Sequence, residues 1–323
     1  MSLSFIESLL EYKKIGVFSH IRPDGDAIGS QVAASIWLSK FSKNVLAFND
    51  DAAPENINWL MRFFPIQKPT KELVDSCDAF LFLDGNSASR FGEFGEYIFK
   101  SDKPKFLIDH HPNPDGDFKS MLHSVKACST AELVFQLFLN TNMDLLEKDA
   151  AMALYAGIVT DTGSFRFDSV NADVHTVVSE ILRRGKFSPP EVHEKIYDNK
   201  NLNQVQLLGK ALTTLEAPGD GRIGIIQIKK EFMEETGTSY ADTEGFVAYA
   251  LSLKGVTAAI LFAELDKGIK LSLRSKRDLD CNVWANNFNG GGHVRAAGGW
   301  FYGSLEDAKK EVYEKGKELL ALS

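Results

Sequence analysis

The chain has 323 residues, 44% hydrophobic and 25% charged, enough apolar material for about two packed domains. That excludes a disordered tail and a mini-protein that needs disulfide staples. Lys and Arg number 36 against 44 Asp and Glu, a net charge of −8 with neutral His; this is the wrong sign for coating long nucleic acid, so a nucleotide would be handled in a small pocket. Cys77, Cys128 and Cys281 are odd in number and widely separated. With no CxxC spacing they give neither a zinc knuckle nor a redox pair, and they suit a reducing compartment. Glu7 and Glu11 precede the first basic residue, Lys13, opposite to the charge of a secretory leader. The longest apolar runs, such as 151–159, stop short of the roughly 18 residues of a membrane span. A cytoplasmic protein without a membrane partner is expected.

Ser4 ahead of Phe5, Ile6, Leu9 and Leu10 reads as the cap of an amphipathic helix, and 15–19 as a short buried strand that ends in polar residues. Residues 26–41 read as a helix. Residues 45–48, 79–83 and 106–108 read as strands, most of them separated by helical stretches. This alternation predicts an α/β fold with a mainly parallel, Rossmann-like sheet covered on both faces. From Thr130 onward helices are expected over 131–139, 148–160, 172–184 and 191–197, with Gly185, Pro189 and Pro190 as punctuation. A first domain over 1–187 follows, then a linker over 188–215 with a connecting helix. After a PGDGR turn come strands over 223–228, 256–263 and 269–273, the last two joined by a tight turn at Asp266, Lys267 and Gly268. They define a smaller mixed α/β domain over 216–323, with a cleft between the two domains.

Four segments are dense in metal-ligating side chains: HIRPDGD from His20, DGN from Asp84, DHHP from Asp109 and TDTG from Thr160. The first three follow strands. Ligands of open α/β sheets bind beyond the carboxyl ends of strands, so these three would converge on one crevice, and the fourth would reach it from a helix end. Taken singly, the DGD is a solvated turn, the His pair packs, and Asp84 caps a helix. Four ligand clusters at corresponding positions argue otherwise. Imidazoles and carboxylates without thiolates suit Mn(II), with Co(II) or Mg(II) also admitted, and exclude a Cys-type structural zinc site. His20, Asp24, Asp26, Asp84, His110 and Asp161 are too many ligands for one open centre. Two divalent ions, +4 in all, balance the −4 of the four carboxylates.

The strings SHIRPDGDAIGS, FLDGN, IDHHPN and IVTDTGSFRF resemble, in order, the four motifs of the DHH phosphoesterase superfamily. LSLRSK at 271–276 and NGGGHVRAAGG at 289–299 resemble the DHH-associated C-terminal domain, in the version found in bacterial nanoRNases that also act on pAp. The resemblance implies that His20, Asp24 and Asp84 hold one metal and Asp26, Asp84, His110 and Asp161 the other, with Asp84 as the bridge. It implies a catalytic His111 that faces the scissile phosphate. In two-metal hydrolysis an activated water attacks phosphorus in line, and no covalent enzyme intermediate is needed. Ser129 and Thr130 are therefore read as caps for the helix that follows.

Gly290, Gly291 and Gly292, with His293 beside them, allow close approach of a ligand to the backbone. Together with Arg274 and Arg295 they are expected to hold the far phosphate or base of a short substrate. Neither GxxxxGK[ST] nor a GxGxxG after a strand is present, which excludes a P-loop NTPase and a dinucleotide oxidoreductase. Phe165, Phe167 and Trp300 are candidates for base stacking, with core packing the default among 23 phenylalanines. The expected activity is hydrolysis of short oligoribonucleotides to 5'-mononucleotides, and of pAp to AMP and phosphate. Long duplexes are excluded as substrates, and a homodimer is compatible with the resemblance. The rivals are a cyclic-dinucleotide or linear pApA phosphodiesterase, an inorganic pyrophosphatase and a nonenzymatic nucleotide-binding regulator.

Overall fold

The structure, a computed structural model, describes residues 2–276, 279–292 and 294–322. The chain divides into two compact units, Met1–Asn199 and Lys200–Ser323, so the division falls inside the segment read as a linker. Among the described residues no helix is long and apolar enough to cross a membrane.

The first unit opens on α1 (Ser2–Leu9), which starts before Ser4. Ser4 therefore lies within the helix instead of capping it, while Phe5, Ile6 and Leu9 are buried as the periodicity predicts. Six strands follow: β1 (Lys14–Ser19), β2 (Asn44–Phe48), β3 (Ile66–Gln67), β4 (Ala79–Leu83), β5 (Lys105–Asp109) and β6 (Ser120–His123). Every neighbouring pair is parallel, in the order β3-β2-β1-β4-β5-β6. β4 and β5 are buried along their whole length, which explains their unbroken apolar runs. The direction of the strand order reverses between β1 and β4. There the crossovers diverge and open a crevice beyond the carboxyl ends.

Helices α2 (Gly25–Ser39), α5 (Thr130–Leu139), α6 (Lys148–Asp161), α7 (Ala172–Gly185) and α8 (Pro189–Tyr197) contribute to one core, with Val17, Leu81 and Ile108 from the sheet. The other face, near α3 (Lys71–Asp75) and α4 (Gly92–Phe99), is aromatic. Phe82 packs there against Phe18, Phe91 and Phe99 at centroid distances of 5.7, 4.6 and 5.0 Å. The α2 and α6 backbones meet through glycine. A Cβ on Gly29 would stand 2.4 Å from the Ala153 carbonyl oxygen, and one on Gly157 would stand 2.7 Å from Ala131 Cβ and 2.8 Å from Asp26 Oδ1.

The second unit carries α9 (Leu202–Leu212), β7 (Ile223–Ile228), α10 (Lys230–Thr236), α11 (Val247–Leu251), β8 (Ala258–Leu265), β9 (Gly268–Ser275), α12 (Cys281–Asn286), β10 (Gly291–Gly292), β11 (Ala296–Phe301) and α13 (Leu305–Leu322). Its sheet runs β10-β11-β9-β8-β7, with β7 and β8 parallel and the remaining pairs antiparallel. Along β9, Ile269, Leu271 and Leu273 enter a core with Trp284, whereas Lys270, Ser272 and Arg274 alternate to the other face.

Candidate metal centre

His20 is the first residue after β1. Its Nδ1–H donates to the Ile21 carbonyl at 2.9 Å, which leaves Nε2 facing Asp84 Oδ2 at 3.3 Å and Asp24 Oδ1 at 3.8 Å. Beneath it Asn49 Nδ2 donates to the His20 carbonyl and to Ser19 Oγ, both at 2.9 Å, and Ser19 Oγ donates to Gln31 Oε1 at 2.8 Å. Asp24 caps α2, with Oδ1 accepting the N–H groups of Asp26 and Ala27 at 3.1 Å each. Asp26, one residue into the helix, is buried. It accepts from Thr130 N at 2.6 Å, Ala131 N at 2.9 Å and Ser30 Oγ at 3.0 Å. The first two are donors at the N-terminus of α5 that lie outside the helix ladder, where a carboxylate is favoured.

Asp84 follows β4 with φ +57°, a left-handed conformation that costs a non-glycine residue about 1–3 kcal/mol. Its buried carboxylate accepts Thr130 Oγ1 at 2.9 Å and lies 3.6 Å from His110 Nε2 and from His111 Nδ1. His110, after β5, donates Nδ1–H to the Ala127 carbonyl at 3.3 Å and turns Nε2 to Asp161 Oδ2 at 3.5 Å. Asp161 is the last residue of α6. His111 donates Nδ1–H to Asp109 Oδ1 at 2.7 Å, while His123 Nε2–H clamps the His111 carbonyl at 2.6 Å. Asp109 is fully buried, and among the described residues its Oδ2 has no hydrogen-bond partner.

Three groups of ligand atoms, each within 4.8 Å of one another, result: His20, Asp24 and Asp84; Asp26, His110 and Asp161; Asp84, His110 and His111. Burial pushes Asp26 and Asp161 well above the usual carboxylate range, and the charge of Asp84 adds to the effect. Burial works against charge on His20, yet its bonds to Asp24 and Asp84 raise it to about 10. Burial also opposes ionisation of Asp84, but the His20 bond and the three imidazoles hold it below the usual range. Negative charge is thus in excess wherever protons are absent. The residues fit a divalent cation: their donors are nitrogen and carboxylate oxygen, and their charge calls for one.

The first unit therefore gathers every residue that the ligand pattern singled out, and His111 with them. Arg274, Gly290, Gly291, Gly292 and Arg295 belong to the second unit, and His293 lies outside the described residues. Arg274 donates Nη1–H to the Leu273 carbonyl at 2.9 Å. Burial draws its pKa down, and among the described residues no carboxylate forms an ion pair with it. Arg295 is exposed, with Nη1 3.4 Å from the Leu279 carbonyl. The glycines are held by their own backbone. Gly291 and Gly292 pair with Gly298 and Ala297, and a Cβ on Gly290 would stand 2.0 Å from the Gly298 carbonyl oxygen. The Gly292 N–H is taken by Asn282 Oδ1 at 3.0 Å.

Ser129 caps α5 as predicted, accepting Glu132 N at 3.2 Å. Thr130 does not cap. Its hydroxyl binds Asp84, a role for which its place beside a cap gives no signal. Ser30, Gln31 and Asn49 are further polar residues behind the site that sequence reasoning passes over, and Asp109, quoted there within its motif, is given no role of its own.

The family model described as DHH family, N-terminal domain, matches residues 14–158, and that of the DHHA1 domain matches 225–321. The chain is 29% identical over 309 residues to the bifunctional oligoribonuclease and PAP phosphatase NrnA of Bacillus subtilis, covering 94% of each chain. It is 27% identical over 322 residues to the protein of the same name from Thermus thermophilus, covering 95% of this chain and 90% of that one. Among solved structures, an exopolyphosphatase-related protein from Bacteroides fragilis superposes with a TM-score of 0.93 at 30% identity, over 99% of this chain and 97% of that one.

Proposed function

Because the chain belongs to the DHH family and carries a DHHA1 domain, we propose that it is a dinuclear manganese phosphoesterase of short oligoribonucleotides, releasing 5'-mononucleotides and also converting pAp to AMP and phosphate. The observation that carries this reading is the buried Asp84, whose two oxygens face His20 on one side and His110 on the other. His20, Asp24 and Asp84 would hold one cation, and Asp26, Asp84, His110 and Asp161 the second. Bound there, two divalent cations supply Lewis acidity toward the phosphoryl group and activate water near neutral pH. Thr130 holds the carboxylate of Asp84 in place, and the N-terminus of α5 holds that of Asp26. His111, with Nδ1 fixed by Asp109, presents Nε2 to a phosphoryl oxygen as charge develops there. The second unit is assigned the far end of the substrate through Arg274, which among the described residues has no carboxylate ion-paired to it, and through Gly290, Gly291, Gly292 and Arg295; His293 is assigned with them from the sequence alone, since it lies outside the described residues. The names of the Bacillus and Thermus relatives support both activities.

The test offers pApA, pAp, cyclic di-AMP, pyrophosphate and a long RNA to the protein with Mn(II) and resolves the products. AMP from pApA, phosphate from pAp and little attack on the long RNA are expected. Turnover of pyrophosphate alone would move the chain to another activity, and hydrolysis of cyclic di-AMP ahead of pApA would change the substrate class. Asp84→Ala should lower turnover of pApA by several decades with the fold retained, since it removes the donor common to both cations. Near-normal turnover in that variant would refute the shared-ligand assignment.

A further inference from the structure

The segment after Asp161 has an unusual backbone. Gly163, Ser164 and Phe165 are all left-handed, at φ +56°, +60° and +63°. Left-handed residues occur routinely one at a time; three in succession, two of them with a Cβ, store strain of a kind that clusters at functional sites. Thr162 holds the turn. Its hydroxyl accepts Phe165 N at 3.1 Å, and its carbonyl accepts Arg166 N at 2.9 Å and Phe167 N at 3.2 Å.

The two phenylalanines of the turn are treated differently. Phe165 packs inward, with ring centroids 6.3 Å from Tyr155 and 5.5 Å from His175. Core packing accounts for it. Phe167 is turned out and is 51% exposed. Its ring folds back over Gly163, where a Cβ would stand 2.7 Å from ring carbon Cζ and would displace the ring. Arg166 beside it is exposed and donates Nε–H to the Gly163 carbonyl at 2.6 Å. Among the described residues it has no ion pair. Gly163 is two residues beyond Asp161, so their Cα atoms are at most about 8 Å apart. The strained turn thus holds an exposed aromatic ring, and a cation that among the described residues has no ion pair, against a glycine two residues beyond the ligand Asp161.

We propose that Phe167 is the nucleobase platform of the first unit: its ring stacks the base of the nucleotide whose phosphate occupies the cluster, and Arg166 supplies positive charge at the same edge. This rests on the reading that the cluster takes a nucleotide phosphate. Stacking is tolerant of base identity because every base has a π face, so the platform selects a nucleotide over a bare phosphate ester without selecting one base.

The test is calorimetric binding of AMP and of ribose 5-phosphate to the Mn(II)-loaded protein, which needs no turnover. Phe167→Ala should weaken AMP about tenfold or more and leave ribose 5-phosphate unchanged, and Phe167→Trp should keep AMP affinity. An unchanged AMP affinity in Phe167→Ala, equal losses for both ligands, or failure of the unaltered protein to prefer AMP would overturn the proposal. If AMP is preferred through Phe167 while pApA is not hydrolysed, the platform stands and the oligoribonuclease reading falls.

Discussion

Asp109 supplies no atom to the three donor groups, yet it decides how His111 is presented. With Oδ1 2.7 Å from Nδ1, the buried carboxylate holds the imidazole in one tautomer and one orientation. Asp109→Asn replaces a carboxylate that can only accept from Nδ1–H by an amide that can either accept from Nδ1 or donate to it, so the ring is no longer held in one tautomer and one orientation. Turnover should fall by about 10- to 100-fold while Mn(II) stoichiometry, read by metal analysis, stays that of the unaltered protein. Loss of metal together with turnover would show that Asp109 shapes the ligand cluster and not His111. His20, Asp84, His110 and Asp161 were legible because they follow or end apolar runs, where a polar side chain has no packing reason to be, and Asp24 and Asp26 because they complete the dense segment that starts at His20. The roles of Asp109 and Thr130 were not, since Asp109 showed only as the first residue of the DHHP segment and Thr130 only as a cap. Their partners are 2 and 46 residues away in the chain, and only the fold discloses them.

The elements meet at glycine, and this makes the spacing of α2, α5 and α6 testable. An added methyl on Gly157 would press on Ala131 of α5 and on the Asp26 carboxylate of α2 together. Gly157→Ala should therefore destabilise the chain by about 1–3 kcal/mol in urea unfolding and weaken Mn(II) binding as well. Gly209 in α9 has nothing within 4 Å of where an added methyl would stand, so Gly209→Ala should be neutral or stabilising by up to about 1 kcal/mol. Equal effects from the two would mean that helix propensity and not close approach governs Gly157. At this scale the sequence displayed the long apolar strands and the amphipathic helices of the first unit, and with them the parallel α/β class. It did not display β3, which has two residues, or β6, whose side chains are half exposed and do not alternate. β11 escaped because Ala, Gly and Gly give no strand pattern, and its place is set by pairing with β9.

For the whole molecule the ligand cluster predicts how stability follows pH. His20 has an ordinary value of 6.5 and is raised to about 10 in the fold, so the folded chain holds a proton that the unfolded chain releases. Its contribution is complete below pH 6.5 and is lost as pH rises toward 10. Asp26 and Asp161 are raised too, and each likewise loses stabilisation as pH rises above the ordinary 3.8 toward its folded value. Asp84 is lowered, so its contribution disappears only in acid, below 3.8. Between about pH 6.5 and about pH 9.5 the shifts of His20, Asp26 and Asp161 all act in one direction or have already finished acting, and Asp84 is silent. The chelated protein should then have a lower urea midpoint at about pH 9.5 than at about pH 6.5, and His20→Gln should lose part of that difference, the raised His110 and carboxylates keeping the rest. Mn(II) should raise both midpoints, and the alkaline one more, because a divalent cation replaces the protons that the carboxylates otherwise require and binds better where those protons are already gone. Coincident midpoints in the chelated protein would mean that the cluster relaxes when empty, and that its carboxylates separate instead of sharing protons.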